Sequence, residues 1–324
     1  MTTRPVVAIT DPLPEDFLGD LEHAADLVCA PADAPGVLAD PIVARAAAVE
    51  GLLCTLEDRI DGAVLDRFPR LRVVSTLSVG FDHIDLAACR ARGIAVGHTP
   101  GVLTDATADL AMALLLACAR RIPEGIETVR RGRWGRWRPA RNLGIELRGK
   151  TLGIVGLGKI GRAVARRARA FGMEVVAVRR TPGPDPADDA RIVDLDTLVT
   201  RSHVVSLHVP LTADTRRMVD AAFLSRMRPG AVLVNTARGA VVDTNALVEV
   251  LARGHLGGAA LDVTYPEPLP PDHPLLRLPG VVVTPHVGSA TRTTRRNMAR
   301  LAAANLLAGL AGRPLPHPVP GAPG

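Results

Sequence analysis

The chain has 324 residues, more than one ordinary hydrophobic core accommodates, and its 47% apolar and 22% charged residues give the balance of a soluble protein of two domains. Its +6 net charge is almost all arginine, with Lys150 and Lys159 the only lysines, and reads as a compositional preference for Ala and Arg rather than as a nucleic-acid partner. The start MTTRPVVAIT lacks the apolar segment of a signal peptide, and the longest apolar run (110–119) is too short to span a bilayer. Cys29, Cys54, Cys89 and Cys118 are widely spaced, with no CxxC and no His-rich spacing for zinc. Cys29 and Cys54, in apolar strand-like runs, and Cys118, in an apolar helix, are expected to be small core residues, and the compartment to be reduced and cytoplasmic, with no membrane partner and no metal.

Residues 4–98 alternate strands and helices. Strands are predicted at 6–10, 27–30, 52–56, 73–77 and 94–97, and helices at 41–48 and 86–92, a parallel α/β layout. A long helix starts at Thr104 or Asp105, either a good N-cap, and runs to about residue 120. Pro123 opens a second helix, and a loop rich in arginine and tryptophan follows (130–141). Then comes an apolar strand (152–155), the glycines Gly156, Gly158 and Gly161, a helix, and a second strand (175–178). Further strands are predicted at 204–209, 232–235, 259–263 and 281–284, with a helix at 244–253. Residues 181–189 read as a surface loop. A last helix (291–310) precedes a proline-rich tail expected to fray.

The glycine pattern sits in the context that dinucleotide binding requires: strand, glycines, helix and strand within about 30 residues. Gly156 permits the tight turn, Gly158 lets the backbone approach a pyrophosphate, and Gly161 lets helix and strand pack closely. The helix N-terminus offers N–H donors and the positive end of its dipole to the phosphates. An NAD-preferring site calls for Asp or Glu at the end of the second strand, to accept hydrogen bonds from the ribose hydroxyls. This chain has Arg179, Arg180 and Thr181 there, which suit a 2′-phosphate, so NADP(H) is expected in preference to NAD(H).

Elements precede and follow this nucleotide fold, so it is predicted to be inserted in another α/β domain. The fold class is α/β, with two Rossmann-like, doubly wound parallel-sheet domains and a cleft between them. Residues 1–100 and 287–324 form the discontinuous substrate (catalytic) domain, and 101–286 the dinucleotide-binding domain with a dimerisation arm.

Three patches follow the fingerprint. Arg238 comes just after a buried strand, at the carboxyl edge that faces the ligand crevice in open α/β sheets, and its planar guanidinium suits a carboxylate. Glu267 lies in a proline-braced loop, and His286 follows strand 281–284. Alone, each is more often a solvated charge or a structural histidine. Together they match what hydride transfer to a keto acid needs: a proton donor, a carboxylate to orient it and raise its pKa, and a cation for the substrate carboxylate.

The segments STLSVGFDHIDL (75–86), GLGKIG (156–161), NTARGAVVD (235–243), LDVTYPEPLP (261–270) and PHVGSAT (285–291) together resemble the D-isomer-specific 2-hydroxyacid dehydrogenases. LDVTYPEPLPPDHPLL, SATRTTRRNM and AANLLAGL resemble the glyoxylate/hydroxypyruvate reductase branch. The likeness runs from about residue 50 to 316; its departures are small, with Thr236 and Ala237 replacing other small residues before Arg238, and Arg238, Glu267 and His286 keep the residue types the family uses. It implies that Arg238 binds the substrate carboxylate and helps polarise the carbonyl, that His286 is the general acid and that Glu267 is its partner. The amides of Val79 and Gly80 would hold the carboxylate from the other domain, with Ser289 and Gly288 lining the same end of the site. Gly156, Gly158, Lys159, Ile160 and Gly161 would take the pyrophosphate. Arg179, Arg180 and Thr181 would take the 2′-phosphate, Asp262 would lie near the nicotinamide carboxamide, and Pro210, Thr236 and His286 would complete the cofactor contacts. The expected reaction is hydride transfer from NADPH to C2 of glyoxylate or hydroxypyruvate, giving glycolate or D-glycerate, in a homodimer built through residues 104–145.

Other reactions on this fold are D-lactate formation, phosphoglycerate oxidation and formate oxidation. The short run after residue 316 argues against the long phosphoglycerate enzymes, and Glu267, where a glutamine is expected, argues against the formate branch. Leu53, Leu77 and Trp137 are candidates for the pocket wall. A nucleotide-sensing corepressor is the non-enzymatic alternative. It would use Arg130, Arg131, Arg133, Trp134, Arg136, Trp137, Arg138 and Arg141, but one loop is not a continuous basic face.

Overall fold

Strands of a parallel sheet are buried on both faces and so read as unbroken apolar runs, and that is how VVAI, VVST and VLVN behave here. The computed structural model describes residues 4–180 and 190–321. The chain divides into two compact units, 1–103 with 290–324, and 104–289.

The first unit holds β1 (Val6–Ile9), β2 (Asp26–Cys29), β3 (Val49–Cys54), β4 (Val73–Thr76) and β5 (Ala95–Gly97), all parallel, in the order β2-β1-β3-β4-β5. The final helix, Arg292–Leu310, covers one face, burying Ala302, Ala303 and Leu306 against Val7, Ile9 and Val73. Its first turn is capped by Thr291, whose hydroxyl accepts from the Thr294 amide.

The second unit holds β6 (Thr151–Val155), β7 (Glu174–Val178), β8 (Arg191–Ile192), β9 (Val204–Leu207), β10 (Val232–Asn235), β11 (Gly258–Leu261) and β12 (Val281–Val283), in the order β12-β11-β10-β9-β6-β7-β8. Strand order reverses on either side of β6, so the carboxyl ends of β6 and β9 form the switch point where such sheets bind ligands. The Lys159–Ala170 helix packs small residues (Ala163, Val164, Ala168) on the sheet. Arg167 on that helix bonds Asp109 at 2.6 Å and Asp105 at 3.0 Å on the long Thr104–Ala119 helix. Asp194, Asp220 and Asp243 each cap the helix after them, so the chain turns from strand to helix at a fixed residue.

Three expectations change, and one short strand escapes the sequence pattern. The two-residue edge strand β8 is too short to announce itself by pattern. Residues 41–48 split into the α-helix Asp40–Ala44 and a 3₁₀ turn at Ala46–Ala48. Cys29 is exposed, at the end of sheet-edge strand β2, whereas Cys54, Cys89 and Cys118 are buried. Burial pushes the Cys89 thiol up to about 11 and the Cys118 thiol up to about 12, so both stay protonated. The proline-rich tail is docked rather than frayed: the Val319 amide donates to Val96 O, the His98 amide donates to His317 O, and Leu315 and Val319 are buried. An edge strand leaves unpaired backbone groups, and the tail satisfies those of β5.

Candidate active site

At the carboxyl ends of β10, β11 and β12 three loops carry the predicted reactive side chains. After β10, Asn235 is buried, its Oδ1 accepts from the Ala237 amide at 3.0 Å, and its Nδ2 donates to Arg238 O at 2.9 Å. That bracket fixes the turn bearing Arg238, whose Nη1 donates to Ala237 O. The next residue, Gly239, lies against the loop after β11: an added Cβ would stand 1.8 Å from Thr264 O. Thr264 in turn holds the acid, its amide donating to Glu267 Oε2 at 3.2 Å. One close backbone contact thus sets the loops of Arg238 and Glu267 side by side.

His286 follows β12 in the left-handed region, at φ 53°. Buried Asp262 holds this turn. Its Oδ1 accepts from the Thr284 hydroxyl at 2.6 Å and the Val287 amide at 2.8 Å, its Oδ2 accepts from the Gly288 amide at 2.8 Å, and its carbonyl accepts from the His286 amide. The ring then meets Glu267, with Nδ1 to Oε1 at 2.6 Å. Both side chains are partly exposed, at 25% and 29%. Burial raises the Glu267 pKa, but the hydrogen bond and charge of His286, the Thr264 amide and the Arg238 charge outweigh it, and the carboxyl sits below its ordinary value. An ionised Glu267 accepts only, so Nδ1 carries the hydrogen and Nε2 is the nitrogen left for other partners.

At the switch point, Gly156 adopts φ 101°, and a Cβ there would stand 2.7 Å from His208 O. A Cβ on Gly161 would stand 2.3 Å from Gly156 O. Gly158, by contrast, meets nothing within 4 Å. It starts the Lys159–Ala170 helix with no side-chain cap, which leaves that helix end to an outside acceptor. The Thr236 hydroxyl is buried without a partner among the described residues. Lys159 is exposed and Ile160 half-buried on the first turn. Arg179 and Arg180 follow β7, one half-buried and one exposed, and Thr181 lies outside the described residues. Pro210, exposed beyond β9, accepts from the Thr215 hydroxyl at 2.6 Å. These features fit a dinucleotide: an open glycine, an uncapped helix end, an orphaned hydroxyl and two cations. Half-buried His208 beside them has its pKa pushed down to about 4 by desolvation and is neutral.

Val79 and Gly80 lie in the first unit, on the loop after β4, and Ser289 ends the second. Leu53 is fully buried in the core beside Leu306, whereas Leu77 is half-buried and Trp137 exposed. Sequence reasoning missed Asn235 and Gly239, and it gave Asp262 no part in shaping the His286 turn.

Residues 112–288 match the family model described as D-isomer specific 2-hydroxyacid dehydrogenase, NAD binding domain. A glyoxylate reductase of Thermofilum pendens is 45% identical over 313 residues, covering 95% of this chain and 92% of that protein. The glyoxylate reductase/hydroxypyruvate reductase of Mus musculus is 45% identical over 319 residues, covering 96% of each. Among solved structures, the NADPH-dependent glyoxylate/hydroxypyruvate reductase of Sinorhizobium meliloti, in complex with NADP and malonate, is 35% identical. It superposes with a TM-score of 0.87 over 99% of this chain and 98% of that one. No helix among the described residues is long and apolar enough to cross a membrane. Two parallel α/β sheets, a dinucleotide turn and these relatives place the chain, an oxidoreductase that uses a nicotinamide cofactor, in the D-isomer-specific 2-hydroxyacid dehydrogenase family.

Proposed function

We propose that this chain reduces glyoxylate, hydroxypyruvate or both with NADPH, giving glycolate or D-glycerate. The observation that carries the reading is the 2.6 Å His286–Glu267 pair, with the charge of Arg238 reaching the same carboxylate. A bound reduced nicotinamide supplies the hydride. Arg238 binds the substrate carboxylate and orients the keto acid; within the first unit, the amides of Val79 and Gly80 are assigned as carboxylate donors. His286 gives its Nε2 proton to the carbonyl oxygen as the alcohol forms, and Glu267 holds the ring and stabilises its protonated form. Asp262, Gly288 and Ser289 shape the end of the site near the nicotinamide, with Asp262 acting through the His286 turn it clamps.

Residues 104–289 serve as the dinucleotide unit, and 1–103 with 290–324 as the substrate unit. The preference for NADPH rests on Arg179 and Arg180 where a ribose-binding carboxylate would otherwise stand, together with Thr181. The relative of known structure bound to NADP points the same way. The functional protein is a cytoplasmic homodimer joined through the Thr104–Ala119 helix and the arm after it.

A steady-state panel of glyoxylate, hydroxypyruvate and pyruvate against NADPH and NADH tests this. The two short keto acids should turn over faster than pyruvate, and NADPH should outperform NADH. His286→Ala should lower kcat by about 10²–10⁴-fold while NADPH still binds. Arg238→Ala should lower kcat/KM by about 10–100-fold, the worth of a charged hydrogen-bonded contact. Wild-type turnover by either variant refutes the assignment.

A further inference from the structure

Three successive carbonyls in the loop after β4 are held from within the first unit. Ser78 O accepts from the Thr99 amide at 2.9 Å, Val79 O accepts from His98 Nδ1 at 2.9 Å, and Gly80 O accepts from the Ser78 hydroxyl at 2.5 Å. In a planar trans peptide the C=O of one residue and the N–H of the next point to opposite sides. Holding Ser78 O therefore aims the Val79 N–H away from the protein's interior contacts, and holding Val79 O does the same for the Gly80 N–H. Neither amide has an acceptor among the described residues.

The hydrogen positions follow from counting. A carbonyl only accepts, so His98 carries its hydrogen on Nδ1. The single hydroxyl proton of Ser78 goes to Gly80 O, so Ser78 accepts from the Thr76 hydroxyl at 2.9 Å. Thr76 has then spent its proton and accepts from His83 Nε2 at 3.0 Å. Two histidines thus donate into the loop, His98 through Nδ1 to the Val79–Gly80 peptide and His83 through Nε2 and two hydroxyls to the Gly80–Phe81 peptide. His98 is itself held firmly. Its amide donates to His317 O, its carbonyl accepts from Asn305 Nδ2 at 3.1 Å, and its ring meets the edge of Phe81 with centroids 5.7 Å apart.

We infer that His98 is a positioning residue for substrate: it sets the Gly80 amide, beside the Val79 amide that Thr99 sets, as part of a preformed carboxylate cradle. The inference rests on the reading of those two amides as carboxylate donors. Its chemistry makes an atom-specific demand. Asparagine Nδ2 stands as many bonds from Cβ as histidine Nδ1, and glutamine Nε2 extends one atom further, toward the place of histidine Nε2.

The test is a panel of His98→Ala, His98→Asn and His98→Gln, with KM and kcat for glyoxylate and hydroxypyruvate, NADPH affinity by fluorescence, and Tm. His98→Ala and His98→Gln should raise the keto-acid KM about tenfold, with kcat within about twofold of wild type and NADPH affinity unchanged, the effect of losing one well-placed hydrogen bond. His98→Asn should restore the KM. Since Asn305 and His317 hold the residue 98 backbone, the variants should stay folded, and Tm checks this. An active wild type whose KM ignores His98→Ala, or for which Gln serves as well as Asn at residue 98, overturns the inference alone. A wild type inert toward every keto acid overturns the substrate reading and the inference with it.

Discussion

At the scale of single residues, Gly239 and Gly158 make opposite claims on the chain although both stand in functional loops. A methyl at Gly239 would collide with the backbone carbonyl of Thr264, which has no flexible end to yield, whereas a methyl at Gly158 enters open space. Gly239→Ala is therefore expected to part the Arg238 and Glu267 loops, destabilising by about 1–3 kcal/mol as overpacking does and removing most activity. Gly158→Ala should leave the Tm within a degree or two and, on the proposed cofactor site, weaken NADPH binding, because the added methyl would stand where the second fingerprint glycine lets a pyrophosphate approach. Thermal melts and cofactor titration on both variants check this, and equal Tm losses would contradict it. Arg238, Glu267 and His286 were legible in the sequence because each follows an apolar strand, and a parallel sheet sends every strand end to one edge. Gly239, Asn235 and the clamp made by Asp262 were not. Their work is contact between segments distant in the chain, and no local pattern encodes which glycine will face which carbonyl.

At the scale of elements, the strands were legible for the same physical reason that makes them core: burial on both faces leaves an unbroken apolar run. What escaped notice has little of that signal. Strand β8 is two residues long and begins with arginine, and the tail hides its two buried anchors, Leu315 and Val319, among prolines that read as disorder. Proline suits a strand whose partner lies on one side only, since its missing N–H needs no acceptor there. Removing residues 314–324 would expose the open side of β5 along with the sites of Leu315 and Val319. Burying a side chain of that size contributes about 1.5–3 kcal/mol, so the truncated chain should lose roughly 3–6 kcal/mol. At about 2–4 °C per kcal/mol this is a fall in Tm of order 10 °C. It should come with concentration-dependent association through the exposed edge. Calorimetry and light scattering on the truncated chain measure both effects, and an unchanged Tm would show that the tail merely rests on β5.

At the scale of the whole molecule, one surface exposes apolar side chains in the region proposed above as the dimer contact. On the Ile122–Arg130 helix, Ile122, Ile126 and Val129 are exposed at a spacing of four and three residues, which places them in one stripe. Beyond the helix, Trp134 and Trp137 are 78% and 80% exposed, and Leu143 is exposed as well. Single apolar residues at the surface are ordinary, but an aliphatic stripe continuous in sequence with two tryptophans marks an association surface. Its arginines do not make it a nucleic-acid site. Arg131 pairs with Glu127 and Arg121 with Glu124 on the same helix, so part of the charge is neutralised locally rather than presented as a basic face. A second copy of the chain suits it better, because a twofold interface sets the same apolar stripe against itself. Ile126→Asp with Val129→Asp should then convert a dimer of twice 34.1 kDa into a monomer, since two desolvated carboxylates facing their own symmetry mates cannot be accommodated. Size-exclusion chromatography with light scattering reads the mass directly. The monomer should keep a folded Tm transition and bind NADPH, because the glycine turn and the Arg238, Glu267 and His286 loops lie on other elements of the same unit. A wild-type chain that elutes at 34.1 kDa, or a double variant that stays dimeric, would move the subunit contact to another face.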